Sequence, residues 1–233
     1  MSATGPSAVA SAGSIPQLRF AVTGAGRLEH AAVPTLRFAL RIETADDRAI
    51  RAVLLDVQVQ IAARRRPYDA RAHDRLFELF GPTAAWGTTL RTLQWTRATL
   101  VVPPFTGETV IDLPVVCTYD LEVTASRYLD ALSDGDVPLE FLFSGTVFYS
   151  GPGGLLQTAR IGWEAEAEYR LPVAVWKQTM EHHFPGTAWL RLPKDGFDRL
   201  CAYKSRHALA SWDEVLDRLL PAAGEPEAGA GER

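Results

Sequence analysis

The sequence predicts an α+β fold, mainly β: an antiparallel β-sandwich with an inserted helix and a helical C-terminal cap. Three observations carry this. Apolar and polar residues alternate with a period of two in several segments, the mark of strands buried on one face. Those segments are not separated by the crossover helices that a doubly wound parallel sheet requires. Helix-start signals gather late in the chain, after residue 171.

Residues 1–15 are rich in Ala, Gly and Ser, and 221–233 in Ala, Gly, Pro and Glu, so both read as disordered ends. The sandwich is expected over 16–171. A strand-like "LRFAV" leads to Gly24 and Gly26, the beginning of a dinucleotide fingerprint. Glu29 stands where the third small residue belongs, and Pro34 breaks the helix that would hold the pyrophosphate, so the reading is a Gly-rich turn. Leu36, Phe38, Leu40 and Ile42 then share one strand face, and Val53, Leu55, Val57, Val59 and Ile61 another.

"YDARAHDRLFELFGP" predicts an inserted helix near 69–80, with Asp69 as N-cap, Ala72, Leu76, Phe77 and Phe80 on its apolar face, and Gly81-Pro82 as its stop. "PVVCTYDLEV" alternates again, with Val115, Cys117, Tyr119, Leu121 and Val123 on one face, and a shorter helix follows near 125–133. Two apolar strands around Ser150–Gly154 read as a hairpin, and "WEAEAEYRL" as a last strand with Trp163, Ala165, Ala167 and Tyr169 facing the core. The helical cap is expected over 172–220: Pro172 and Pro193 open two segments, and "SWDE" is a capping box with Ser211 as N-cap and Glu214 behind it.

Composition narrows the function. A formal net charge of -4 argues against a general nucleic-acid binder, which needs an excess of Lys and Arg on one face. Cys117 and Cys201 lack the spacing of a disulfide framework or zinc site and read as reduced packing residues. No secretory leader and no run of about 18 apolar residues is visible, so a cytoplasmic protein without a membrane span is expected.

Four clusters invite chemistry. His182 and His183 follow Glu181, but on a helix His183 joins Trp176, Met180 and Phe184 in an apolar stripe, and neither histidine has a second ligand three or four residues before it. Glu164, Glu166 and Glu168 project from one strand face about 6.7 Å apart, a row resembling the paired carboxylates of glycosidases. Arg160 and Arg170 continue that face, and a salt-bridged surface explains the row more simply. Arg64, Arg65 and Arg66 form a planar-donor run that suits an acidic partner. Trp86, Phe105 and Trp189 sit beside Gly or Pro, either plugging the ends of the sandwich or, with the arginines, offering a protein-binding edge.

Taken together, "VPTLRFALRIE", "RRRPYDARAHDRLFELFGPTAAWGTTLRTLQW", "VVPPFTGETVIDLPVVCTYDLEVTASRYLDAL", "VPLEFLFSGTVFY" and "LPVAVWKQTMEHHFPGTAWLRL" resemble an uncharacterised, largely actinobacterial family, domain of unknown function six-zero-eight-four. The resemblance implies genes near uptake nickel-iron hydrogenases, hence an accessory or assembly role, and supplies no catalytic residues. The sequence-level expectation is a non-enzymatic protein that binds another protein, with no cofactor and no metal, and Arg64, Arg65, Arg66, Trp86, Phe105 and Trp189 as partner-binding candidates. The alternatives are a carbohydrate-active hydrolase using Glu164, Glu166 and Glu168, and a small-ligand or lipid carrier.

Overall fold

Alternation in the sequence becomes two antiparallel sheets in the computed structural model, which describes residues 15–45, 47–118, 120, 123–187 and 191–221. The first sheet has the order β1 (Leu18–Arg27), β2 (Thr35–Thr44), β5 (Glu108–Val116). The second runs β4 (Leu93–Val102), β3 (Ile50–Ile61), β6 (Asp136–Ser150). The far edge of β6 is shared: β8 (Glu166–Pro172) pairs along Asp136–Leu142, and β7 (Leu156–Arg160) along Thr146–Ser150.

The strand faces read from alternation are the ones buried. Leu36, Phe38, Leu40 and Ile42 are fully buried, as are Val53, Leu55, Val59 and Ile61, and Val57 nearly so. Each such side chain contributes about 1.5–3 kcal/mol on leaving water. Rings lock the two sheets together: Phe20 stacks on Phe143 at 4.3 Å, and Phe38 meets Phe141 edge-on at 5.3 Å.

At the middle of β6, Gly145 has φ +140°, and a Cβ there would lie 2.0 Å from the Leu54 carbonyl oxygen on β3. Only glycine lets the backbones approach this closely. The β6 edge divides at the same place: Phe143 N–H donates to Ala165 O, and Ile161 N–H to Gly145 O.

Helices enter between β3 and β4. Asp69 caps α1 (Ala70–Arg75), its carboxylate accepting from Ala72 N–H at 2.7 Å, as the sequence predicts. The expected single helix breaks at Leu76 and restarts as α2 (Phe77–Phe80), followed by α3 (Trp86–Thr89). The break turns Phe77 outward to 57% exposure, whereas Ala72, Leu76 and Phe80 stay buried. After β5, α4 (Thr124–Ala131) buries Tyr128 and Leu129.

Three further expectations are corrected. The Gly24-Gly26 segment is not a turn: both glycines lie in β1, which bulges between Val22 and Gly24 against β2. The strand expected to reach Val123 stops at Val116; Val123 instead caps α4 and is 40% exposed, while Tyr119 and Leu121 lie outside the described residues. Trp163 does not face the core, because β8 begins only at Glu166 and Ala165 N–H closes a turn onto Gly162 O. The segments expected to be disordered fall outside the described residues except for Ile15 and Pro221.

The chain divides into two compact units, Met1–Trp189 and Leu190–Arg233. In the first, Pro172 opens α5 (Val173–His183), which buries Val173, Trp176, Thr179 and Met180 and packs against β1, β8 and α4. The second holds α6 (Lys194–Arg206) and α7 (Trp212–Leu219). Its capping box is present: Ser211 Oγ accepts from Glu214 N–H at 3.1 Å, and Glu214 Oε2 accepts from Ala210 N–H at 2.9 Å. Lys204 Nζ donates to the Leu209 and Ala210 carbonyls, both at 2.8 Å, and so fastens the connection between the two helices.

Candidate functional site

The arginine run lies just past β3, Arg64 and Arg65 in a 3-10 turn and Arg66 in the extended residue that ends it, and each guanidinium serves the fold. Arg64 donates to the Leu90 carbonyl and, at 3.0 Å, to Gly87 O, closing the helical insertion on itself. Arg65 reaches Glu140 on β6 at 2.9 Å and Glu168 on β8 at 2.5 Å, and the two carboxylates raise its pKa. Arg66 donates to Asp134 O at 3.2 Å and lies 5.3 Å from the Tyr68 ring centre.

Trp86 is the hub of the insertion. It is only 8% exposed, donates its indole N–H to Gly81 O at 2.9 Å, and meets Tyr68, His73 and Phe80 edge-on at 5.1, 4.7 and 5.9 Å. Tyr68 donates to Ala63 O at 2.6 Å, so the 2.7 Å contact between the Tyr68 and Tyr128 hydroxyls uses the Tyr128 proton. Burial raises the pKa of both phenols. Phe105, 9% exposed, pairs its backbone with Ile50 in both directions. Trp86 and Phe105 therefore have little surface left for a partner, and Trp189 lies outside the described residues.

The glutamate row does not act as a unit. Glu168 is tied to Arg65, whereas Glu164 and Glu166 line an open groove of about 640 Å³ together with Arg19 and Arg160. His183 Nδ1 lies 3.0 Å from Thr179 O and Nε2 3.2 Å from Ala31 O, linking the end of α5 to the segment between β1 and β2. Glu181 accepts from Gly186 N–H and helps to close the helix end. Among the described residues, no group of three His, Cys, Asp or Glu is placed to hold a metal ion. A second groove, about 1000 Å³, runs along α5 between Arg27, Lys177 and His182 on one hand and Asp130 and Glu181 on the other. Asp130 is already paired with Arg75 at 2.8 Å.

Two exposed features were not singled out in the sequence. In the five residues between β7 and β8, Trp163 is 95% exposed and stands beside the outer face of the second sheet. The signal was Gly162, which interrupts the alternation before the tryptophan and puts its parity in doubt. In the C-terminal unit, Trp212, Leu216 and Leu220 recur at i, i+4 and i+8 and are 43%, 51% and 51% exposed. Phe197, 43% exposed, meets Trp212 with ring centres 5.9 Å apart.

A family model described as "Family of unknown function (DUF6084)" matches residues 15–228. No curated protein matches the chain. Among solved structures it is similar to a protein described as late embryogenesis abundant, at 16% identity over 68% of this chain and 73% of that one, TM-score 0.30. It is also similar to one described as ApaA from Bordetella pertussis, at 13% identity over 67% and 93%, TM-score 0.23. β-Glucosidase 3B from Thermotoga neapolitana is similar at 14% identity over 66% of this chain and 17% of that one, TM-score 0.24. At these scores none of the three carries a functional argument.

Proposed function

The chain belongs to that family, and we propose that it is a non-enzymatic cytoplasmic protein that binds another protein through its C-terminal helical unit. The apolar stripe Trp212, Leu216, Leu220, with Phe197 against it, carries the reading. Spacing of i, i+4 and i+8 is what a helix uses to enter an apolar groove, and a central aromatic is the usual anchor. Asp213, Glu214 and Asp217 flank the stripe, so the fitting partner has an apolar groove with a basic rim. No helix among the described residues is long and apolar enough to cross a membrane.

The family resemblance suggests the setting: an accessory or assembly role for a redox metalloenzyme such as an uptake nickel-iron hydrogenase in actinobacteria. The arginine run is absorbed by the fold, which moves the proposed contact from Arg64, Arg65 and Arg66 to α7, with Trp189 the neighbouring candidate in sequence. The test uses the full chain, wild type and Leu216→Asp, as bait in native extract, followed by titration of the purified retained protein. The expected result is a metalloenzyme subunit bound by wild type, with affinity lost roughly thirtyfold in Trp212→Ala and abolished in Leu216→Asp, at unchanged melting temperature. Equal retention by wild type and both variants overturns the reading.

A further inference from the structure

Trp163 stands at the rim of a shallow depression of about 600 Å³ on the outer face of the second sheet. Its floor is set by strand register. Thr99, Asp56 and Ser144 form one row across β4, β3 and β6, and Arg97, Gln58 and Leu142 the next, with Glu166 of β8 opposite Leu142. Neighbouring strands are about 4.8 Å apart and alternate residues about 6.7 Å, so this grid measures roughly 7 by 10 Å. Pairing within the floor fixes two of its side-chain pairs: Thr99 Oγ1 donates to Asp56 Oδ1 at 2.6 Å, and Arg97 Nη2 to Gln58 Oε1 at 2.8 Å.

We propose that this depression is a binding site for a neutral sugar ring, with Trp163 as the stacking platform and Asp56, Gln58, Arg97 and Ser144 as hydrogen-bonding partners. Each requirement of such a ligand is met by a different part of the site. A pyranose has an apolar C–H face, which stacks on an indole; the Trp163 indole is almost entirely solvent-facing and its faces are unused. Its hydroxyl groups both donate and accept, and the floor offers both. Asp56 keeps a second carboxylate oxygen to accept, the Gln58 amide and the rest of the Arg97 guanidinium donate, and the Ser144 hydroxyl does either. Side chains already fixed by their neighbours lose little further freedom when a ligand binds.

Charge separates this ligand from the other molecules that stack on tryptophan. Asp56 in the floor is balanced by Arg97, and Glu164 and Glu166 in the neighbouring groove by Arg19 and Arg160. A nucleotide or acidic glycan would find no cationic excess there, which a site for such anions needs. An apolar peptide would cover five polar side chains of the floor for the sake of Leu142. The proposed site uses no residue of α7.

The test is an array of neutral and acidic oligosaccharides probed with the full chain, followed by titration of the best neutral binder and of a mononucleotide. Wild type is expected to retain a neutral oligosaccharide and to shift its tryptophan emission on binding. Trp163→Ala is expected to weaken binding roughly tenfold and Gln58→Ala roughly fivefold. Trp163→Phe should recover part of the loss, and all variants should melt like wild type. Retention of no neutral oligosaccharide, a preference for acidic glycans or the nucleotide, or full binding by Trp163→Ala each overturns the proposal.

Discussion

The β3–β4 insertion reverses the chain between two antiparallel neighbours, the β7–β8 link carries it onward along one edge of β6, and each holds a tryptophan beside a glycine. Their fates are opposite: Trp86 is 8% exposed and Trp163 95%. The insertion is long enough to build a shell, and Tyr68, His73 and Phe80 surround its indole while Gly81 O takes the indole proton. The link, residues 161–165, can only turn, and its two strand-facing ends are pinned to Gly145 and Phe143. A loop tryptophan is buried when its own loop supplies the neighbours, and the flanking glycine does not decide the matter.

Breaking the support of the link should have the largest effect. Gly145→Ala forces a side chain against Leu54 O in a backbone region that L-residues rarely adopt, and we expect a loss above about 3 kcal/mol or failure to fold, read by urea denaturation. Trp86→Ala empties the centre of the insertion and should cost about 3–5 kcal/mol, seen as a lower melting temperature.

Alkaline pH should expose the interior next. Burial raises the Cys117 thiol from 9.0 to about 12 and also raises Tyr68 and Tyr128. The folded chain thus keeps protons that the unfolded chain releases. This stability is complete below pH 9.0 and is lost as pH climbs towards about 12. Urea midpoints measured across that window should fall, and fall less steeply in Cys117→Ala. Trp163→Ala should change stability least, within about 0.5 kcal/mol by the same denaturation. A large loss there would erase the contrast between the two loops.

The strands were legible because their burial depends on alternation alone: Phe38 and Val57 are buried by parity, whatever the sheet order. Caps were legible because their donors and acceptors are two or three residues apart, as at Asp69 and Ser211. What escaped depends on where a pattern stops. Alternation carried one turn too far placed Trp163 in the core, and helical spacing carried across Leu76 placed Phe77 with Phe80. The candidate sites were less legible for a further reason. Arg65 meets Glu168, 103 residues on, and no local spacing announces that its charge is already taken.

The division of the β6 edge has one more effect. A sheet that ends in a long, straight strand offers its unpaired amides and carbonyls as a template on which other chains can add. Here the outer edge is cut in two. A would-be added strand finds only Leu156–Arg160, then the turn at Gly162, then the seven residues of β8, which lie against β1. The glycine at position 145, where this edge divides, thereby sits at the point that blunts it as a template for fibres.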